Sequence, residues 1–238
     1  MKLLENPKMK KVLIINIVFS IIVIICGNLF YNRIAVAKTI GSTLFVVQCL
    51  VNIILGNMWF SKKKNLFVWM LLAAQIFACA GDIVLEINFA NGAIVFGIGH
   101  VLFLVAFYVL NKFNWKDLPI ICALIVIVIL VLTLYPNFDF KGMKVVIFAY
   151  GIIISIMLGK AFSNCLSNIN KPLKYTLLIG ALLFYLSDLF LLFYKFAGID
   201  GYTRFLCLHL YYPANCILAI CAFISIYTNN SRQIKKAD

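Results

Sequence analysis

The 238-residue chain is short of charge, and of negative charge above all. Only 12% of its residues are Asp, Glu, Lys or Arg, and 8 acids stand against 21 Lys and Arg. A soluble globular domain carries about a quarter charged residues, so the composition argues against one. Histidine occurs twice, and there is no Cys-x-x-Cys, no glycine-rich phosphate loop and no serine in a nucleophile elbow. Redox pairs, nucleotide loops and Ser-His-Asp hydrolysis therefore have no motif to stand on. The cysteines, at 26, 49, 79, 122, 165, 207, 216 and 221, fall mostly inside apolar runs, where a thiol behaves as a small apolar side chain. Two histidines at different depths, neither in an HxxxH pattern, are a poor set for catalytic zinc, which wants three protein ligands. No metal and no cofactor is expected. A basic stripe interleaved with exposed aromatics is also missing, so the net charge of +13 does not indicate nucleic acid.

What the chain has is apolar length. It is 64% hydrophobic, with a mean hydropathy of +1.04. The apolar residues come in eight runs, over about residues 12–30, 37–59, 66–85, 93–110, 118–134, 145–163, 175–194 and 205–227. At about 1.5 Å of rise per residue, some twenty residues cross a hydrocarbon core of roughly 30 Å. The pattern predicts an all-α integral membrane bundle of eight transmembrane helices, forming one transmembrane domain over residues 1–238. The basic stretch from Met1 to Lys11 resembles a secretory leader. The run after it is long, lacks a small-residue cleavage site and is followed by further spans, so a retained first helix is expected.

Charge asymmetry sets the orientation. Segments 1–11, 60–65, 111–117, 160–174 and 228–238 hold 15 of the 21 basic residues; Ser61-Lys62-Lys63-Lys64 ends the second span among them. The alternate segments hold Arg33, Lys38, Lys141, Lys144, Lys195 and Arg204. Basic loops prefer the cytoplasm, which places both termini there, in a multi-pass protein of the cell membrane surrounded by anionic lipid headgroups.

With that orientation the few ionisable residues inside the spans share one side. Asp82 closes the third span in Phe77-Ala78-Cys79-Ala80-Gly81-Asp82, with Glu86 one turn on, and Asp188 lies in the seventh span beside Ser187. Lys38 opens the second span, His100 lies in the fourth, and His209, Tyr211 and Tyr212 open the eighth. Intramembrane carboxylates are costly unless paired, protonated or facing a cavity, so they mark a functional site. Five helices thus converge on the outer half. A salt bridge from Asp82 to Lys38, or a histidine merely hydrogen-bonded in the bundle, is the plainer alternative. Gly81-Asp82 and Ser187-Asp188 also close the third span of each four-helix half. Their offset lays Lys38 onto Lys144, a faint echo of a parallel repeat.

Chemistry follows from the acids. A low-dielectric site favours the protonated form of a carboxyl group, and a second nearby carboxylate favours it further in one member. Unequal paired carboxyls can donate a proton and guide water, the device used on acetal-like or ether carbons. In the eighth span Tyr211 and Asn215 are four apart and share a face, while Pro213 leaves the carbonyl of His209 without its helical partner.

Lys38, Gly81-Asp82 with Leu85, Phe96-Gly97-x-x-His100, Tyr150 with Met157, Leu186-Ser187-Asp188 and Tyr211-Tyr212-x-Ala214-Asn215 together resemble the YhhN-like lysoplasmalogenase family, over roughly Ala35 to Ala222. The resemblance implies eight membrane helices and hydrolysis of the vinyl-ether bond of lysoplasmalogens, lysophospholipid substrates, to a fatty aldehyde and glycerophosphoethanolamine or glycerophosphocholine. By the same resemblance Asp82 and Asp188 match the family's paired acids, His100 its span-four histidine, and Tyr211 and Tyr212 its span-eight tyrosines. Asn215 stands where the family usually has Gln, and Ala37-Lys38-Thr39 where it usually has Lys-Pro-Leu.

The expectation is a hydrolase with Asp82, Asp188 and His100 catalytic. Tyr211, Tyr212 and Asn215 would orient the glycerol oxygens, with Ser187 and Glu86 nearby. Lys38 or Arg204 would hold the phosphate. Which aspartate is acid and which is base is left open. A proton-coupled transporter or a lipid-binding membrane protein is the alternative; polar residues at both leaflets and broken helices would favour transport.

Overall fold

Each apolar run folds into a helix because a backbone in hydrocarbon must satisfy its own hydrogen bonds. The computed structural model describes residues 6–60 and 65–237. It contains α1 (Pro7–Tyr31), α2 (Ala35–Trp59), α3 (Leu66–Ile87), α4 (Phe89–Leu110), a single 3-10 turn (Trp115–Asp117), α5 (Leu118–Leu134), α6 (Lys144–Leu166), α7 (Lys171–Phe196) and α8 (Tyr202–Ala237). Among the described residues every regular element is helical, and eight helices are long and apolar enough to cross a membrane. Residues 1–5 and 61–64, which carry part of the basic asymmetry and the stop of the second span, lie outside the described residues.

Two helices, α1 and α4, run past their apolar runs to a polar side chain that caps them. The side chain of Asn6 accepts from the backbone of Lys8 at 2.9 Å, with Pro7 in the first turn. The turn expected over Asn88, Asn91 and Gly92 contracts to Asn88 alone. That residue is extended, and its side chain accepts from the backbone of Asn91 at 3.0 Å, so α4 starts one residue after α3 ends. Gly92 allows this tight turn: a Cβ there would lie 2.6 Å from the backbone nitrogen of Leu85. A Gly92→Ala protein is therefore expected to lose about 1–3 kcal/mol of stability by overpacking, read as an earlier unfolding midpoint in detergent. Gly97→Ala, whose Cβ would meet nothing closer than Tyr150 at 3.8 Å, should be nearly neutral.

Burial orders the helices. In the most apolar stretch of α8, 72% of residues are buried, against 22% for α5 and 28% for α1, so α8 is the central post and the other two face lipid. The pairings α1–α2, α2–α3 and α3–α4 recur as α5–α6, α6–α7 and α7–α8, and α2–α8 has its counterpart in α6–α4. The halves thus pair as two similar four-helix units, although α8 also touches α1 and α3.

Side-chain amides bind the first unit to α8. Asn16 and Asn52 exchange reciprocal hydrogen bonds at 2.8 Å. Gln48 and Asn52 also donate to the α8 carbonyls of Cys216 and Ala219, and Gln75 donates to that of Asn215 at 3.0 Å. Such contacts drive helix association where no hydrophobic effect operates. At the end of the bundle away from the two aspartates, Lys160 of α6 is fully buried. Its ammonium donates to Asp117 at 2.7 Å and to the carbonyl of Lys112 at 3.0 Å, over the Tyr108 ring. Asp117 also accepts from Ser163 and from the backbone of Asn114. This clamp pins the α4–α5 connection to α6.

Candidate functional site

Asp82 is the buried acid of α3, and among the described residues two hydroxyls and an ammonium are directed at it. Ser42, one turn after Lys38 on α2, donates its hydroxyl to Oδ2. Tyr211 of α8 donates to the same oxygen at 2.6 Å. The ammonium of Lys38 stands 3.7 Å from Oδ1 and 2.7 Å from Glu86, bridging the two acids of α3. Hydroxyl and ammonium partners of this kind can stabilise a carboxylate.

Asp188 of α7 is built differently. Its Oδ2 lies 3.1 Å from Nε2 of His100 on α4 and accepts from the phenol of Tyr150 on α6 at 3.0 Å. Tyr150 also lies 2.8 Å from that ring nitrogen. The other ring nitrogen, Nδ1, faces the sulfur of Met157 at 3.4 Å. A histidine set against both a carboxyl group and a phenol is placed to pass a proton to or from that carboxyl. Tyr150 and Met157 are seven residues apart on α6, two turns on one face, and grip both edges of the ring.

The two environments are crossed copies. Each aspartate sits on the third helix of its half, beside a hydroxyl from the second helix of the same half (Ser42, Tyr150). Each also meets a partner from the fourth helix of the other half (Tyr211, His100). The lysine breaks the equivalence: Lys38 is buried against Asp82, whereas Lys144, its counterpart by offset, lies at the start of α6 over Phe148.

Both carboxyl groups line one cavity of about 350 Å³. Tyr150, Tyr211 and Lys38 share its polar wall, while Phe96, Val128, Leu132, Ile147, Ile154 and Leu192 supply an apolar one. Ser187, Glu86 and Arg204 also line it. His100 is 1% exposed and lies behind Asp188. Tyr212 and Asn215 do not border the cavity. Tyr212 is a hundred degrees round the helix from Tyr211, and its ring fills the space left by Gly27 and Gly41. Asn215 lies one turn deeper, where its amide donates to the carbonyl of Tyr211 at 3.0 Å rather than meeting the phenol. His209 also stands apart, against Asn28 at 3.0 Å and stacked on Phe205.

Four lining or supporting residues escape the sequence reading of the site. Ser42 could have been found as the position one turn beyond Lys38. Tyr150 was visible only through the resemblance. Arg33 and Lys195 line the cavity from helix ends, where a basic residue reads as an interfacial anchor.

Fold and site together define a multi-pass, all-α membrane protein whose halves each bring a carboxyl group to one internal cavity. Within that class the chain belongs to the YhhN family, whose model matches residues 35–222, a stretch containing every site residue named above except Arg33. No curated protein and no solved structure matches the chain.

Proposed function

We propose that the protein is a cell-membrane hydrolase that cleaves the vinyl-ether bond of lysoplasmalogen. The observation that carries this reading is the pair of unlike carboxyl groups on one cavity, one accepting from Ser42 and Tyr211 beside Lys38, the other bonded to Tyr150 and 3.1 Å from His100. In the proposed reaction the Asp188–His100 pair adds its proton to the vinyl carbon remote from the ether oxygen, leaving an oxocarbenium ion at the carbon that bears oxygen. Asp82, held as an anion, stabilises that cation and takes a proton from the water that attacks it. The hemiacetal then collapses. Its hydroxyl proton returns to Asp188–His100, the carbon–oxygen bond to glycerol breaks, and Asp82 gives its proton to the departing alkoxide. One water is consumed, and both acids end as they began.

Tyr211 positions Asp82, Tyr150 and His100 position Asp188, and the alkyl chain lies along the apolar wall. With both termini in the cytoplasm, the cavity opens toward the outer face. The test is a panel of lysolipids incubated with purified protein. Fatty aldehyde should appear from the alkenyl lipid and no fatty acid from the ester lipids. Fatty acid would instead indicate ester hydrolysis, and Asp188-dependent flux in proteoliposomes without product would indicate a transporter.

A further inference from the structure

The open end of the cavity carries more positive charge than the acids beneath it use. Lys38 is committed to Asp82 and Glu86, so it is not available to a ligand anion. Three further cations line the cavity: Arg33 at the α1–α2 turn, Lys195 near the end of α7 and Arg204 near the start of α8. Lys195 is exposed, with its ammonium over the rings of Phe89 and Tyr194. Among the described residues no carboxylate stands within salt-bridge distance of it. Arg204 is fixed in place. Two of its nitrogens donate to the carbonyls of Phe30 and Tyr31 at 3.2 and 3.1 Å, and its plane lies over both rings. A guanidinium has five donors, so three remain.

Arg33 adds an independent sign. Its φ is +73°, a left-handed conformation that helix ends usually give to glycine. A bulky cation in a strained backbone at a cavity rim is the kind of outlier that points to function.

The register of these cations against the acids is regular. Lys195 follows Asp188 by seven residues, and Arg204 precedes Tyr211, the partner of Asp82, by seven. Seven residues are two turns on nearly the same face and about 10 Å of rise. Each cation therefore stands about 10 Å along its own helix from a residue of the acid sites, and Lys195 stands the higher of the two, because Ser187 meets Cys207 and Phe184 meets Tyr211.

We infer that Arg33, Lys195 and Arg204 form a phosphate site at the open end of the cavity, and that its height selects lipids whose phosphate lies a glycerol's length from the bond to be broken. This rests on the hydrolase reading for the identity of that bond. In a lysophospholipid, six bonds separate the carbon bearing the ether oxygen from phosphorus. They span roughly 7–8 Å when extended, and a charge-assisted hydrogen bond of about 2.8 Å completes the reach. A neutral alkyl glycerol has the same chain and ether but nothing to place there.

The test uses the full-length protein and ligands it cannot turn over: a saturated hexadecyl glycerol ether with and without a phosphocholine group, in equilibrium binding. The wild type should bind the phosphate-bearing ether at least about tenfold tighter. Lys195→Gln and Arg33→Gly should each narrow the gap, and the double variant should narrow it most, down to the share that Arg204 holds, with neutral-ether binding unchanged. Glycine suits the backbone at 33, so that variant keeps the turn. Equal affinities in the wild type, or an intact gap in the double variant, would overturn the inference. Loss of the gap on adding millimolar inorganic phosphate at constant ionic strength would assign the site to the free ion and overturn the headgroup assignment. Saturated ethers have no vinyl carbon to protonate, so these outcomes do not depend on whether the acid pair is hydrolytic.

Discussion

A folded, membrane-inserted Asp188→Asn protein should release aldehyde from lysoplasmalogen about a hundred to ten thousand times more slowly than the wild type, the usual worth of a positioned general acid or base. An amide cannot relay a proton between the substrate and His100, which lies 3.1 Å from Asp188, so the first step loses its donor. Asp82→Asn should fall in the same range for a different reason. Its amide nitrogen would replace one oxygen and face either Ser42 and Tyr211 or Lys38, and the neutral side chain leaves the oxocarbenium ion without a counter-charge. Run in deuterated water, the wild-type reaction should place one deuterium on the carbon next to the aldehyde, the signature of protonation at the vinyl carbon. Wild-type turnover by both asparagine variants, or aldehyde free of deuterium, would remove the acid pair from the chemistry.

The largest effect on stability is expected at the other end of the bundle. Lys160→Met leaves Asp117, 0% exposed, without the ammonium that lay 2.7 Å away. Breaking one partner out of a buried pair costs about 3–5 kcal/mol. The pair sits at the end of the bundle, so the lower limit, about 3 kcal/mol, is the better expectation. Asp117→Asn should cost nearly as much, because the lysine keeps only the Lys112 carbonyl and the Tyr108 ring. The double variant should cost clearly less than the two together, as contacting partners do in a double-mutant cycle. Denaturation in detergent measures all three. Turnover by the surviving folded protein should stay at the wild-type level, since no part of this clamp borders the cavity. Additive losses would mean that the pair does not act as a unit.

The helices were legible because hydrocarbon imposes a length and a composition on anything that crosses it; α5 was expected over 118–134 and forms over Leu118–Leu134. Boundaries moved where a polar residue caps rather than loops, as at Asn88. The acids and His100 were legible too, since an ionisable side chain stands out against Leu and Phe. What could not be read was the partner of each. Ser42 and Tyr150 are ordinary residues until a third helix brings a carboxylate to them, and that pairing depends on helix packing across halves. Tyr212 and Asn215 show the converse. Their nearness in sequence to Tyr211 suggested a shared task, but the helical screw turns one toward α1 and α2 and sinks the other below the cavity floor. Lys160 and Asp117 were visible as charges, yet the sequence counted them as part of a basic loop because nothing in it marks burial.

The crossed wiring of the two aspartates bears on how such a protein could have arisen. A four-helix ancestor would hold an aspartate and one hydroxyl but not the residue that completes their surroundings, because that residue comes from the fourth helix of the opposite half. It could have worked only as a pair of identical chains. Fusing them into one polypeptide would have freed the copies to diverge, and a lysine kept beside a single acid is the kind of asymmetry that two identical chains cannot encode.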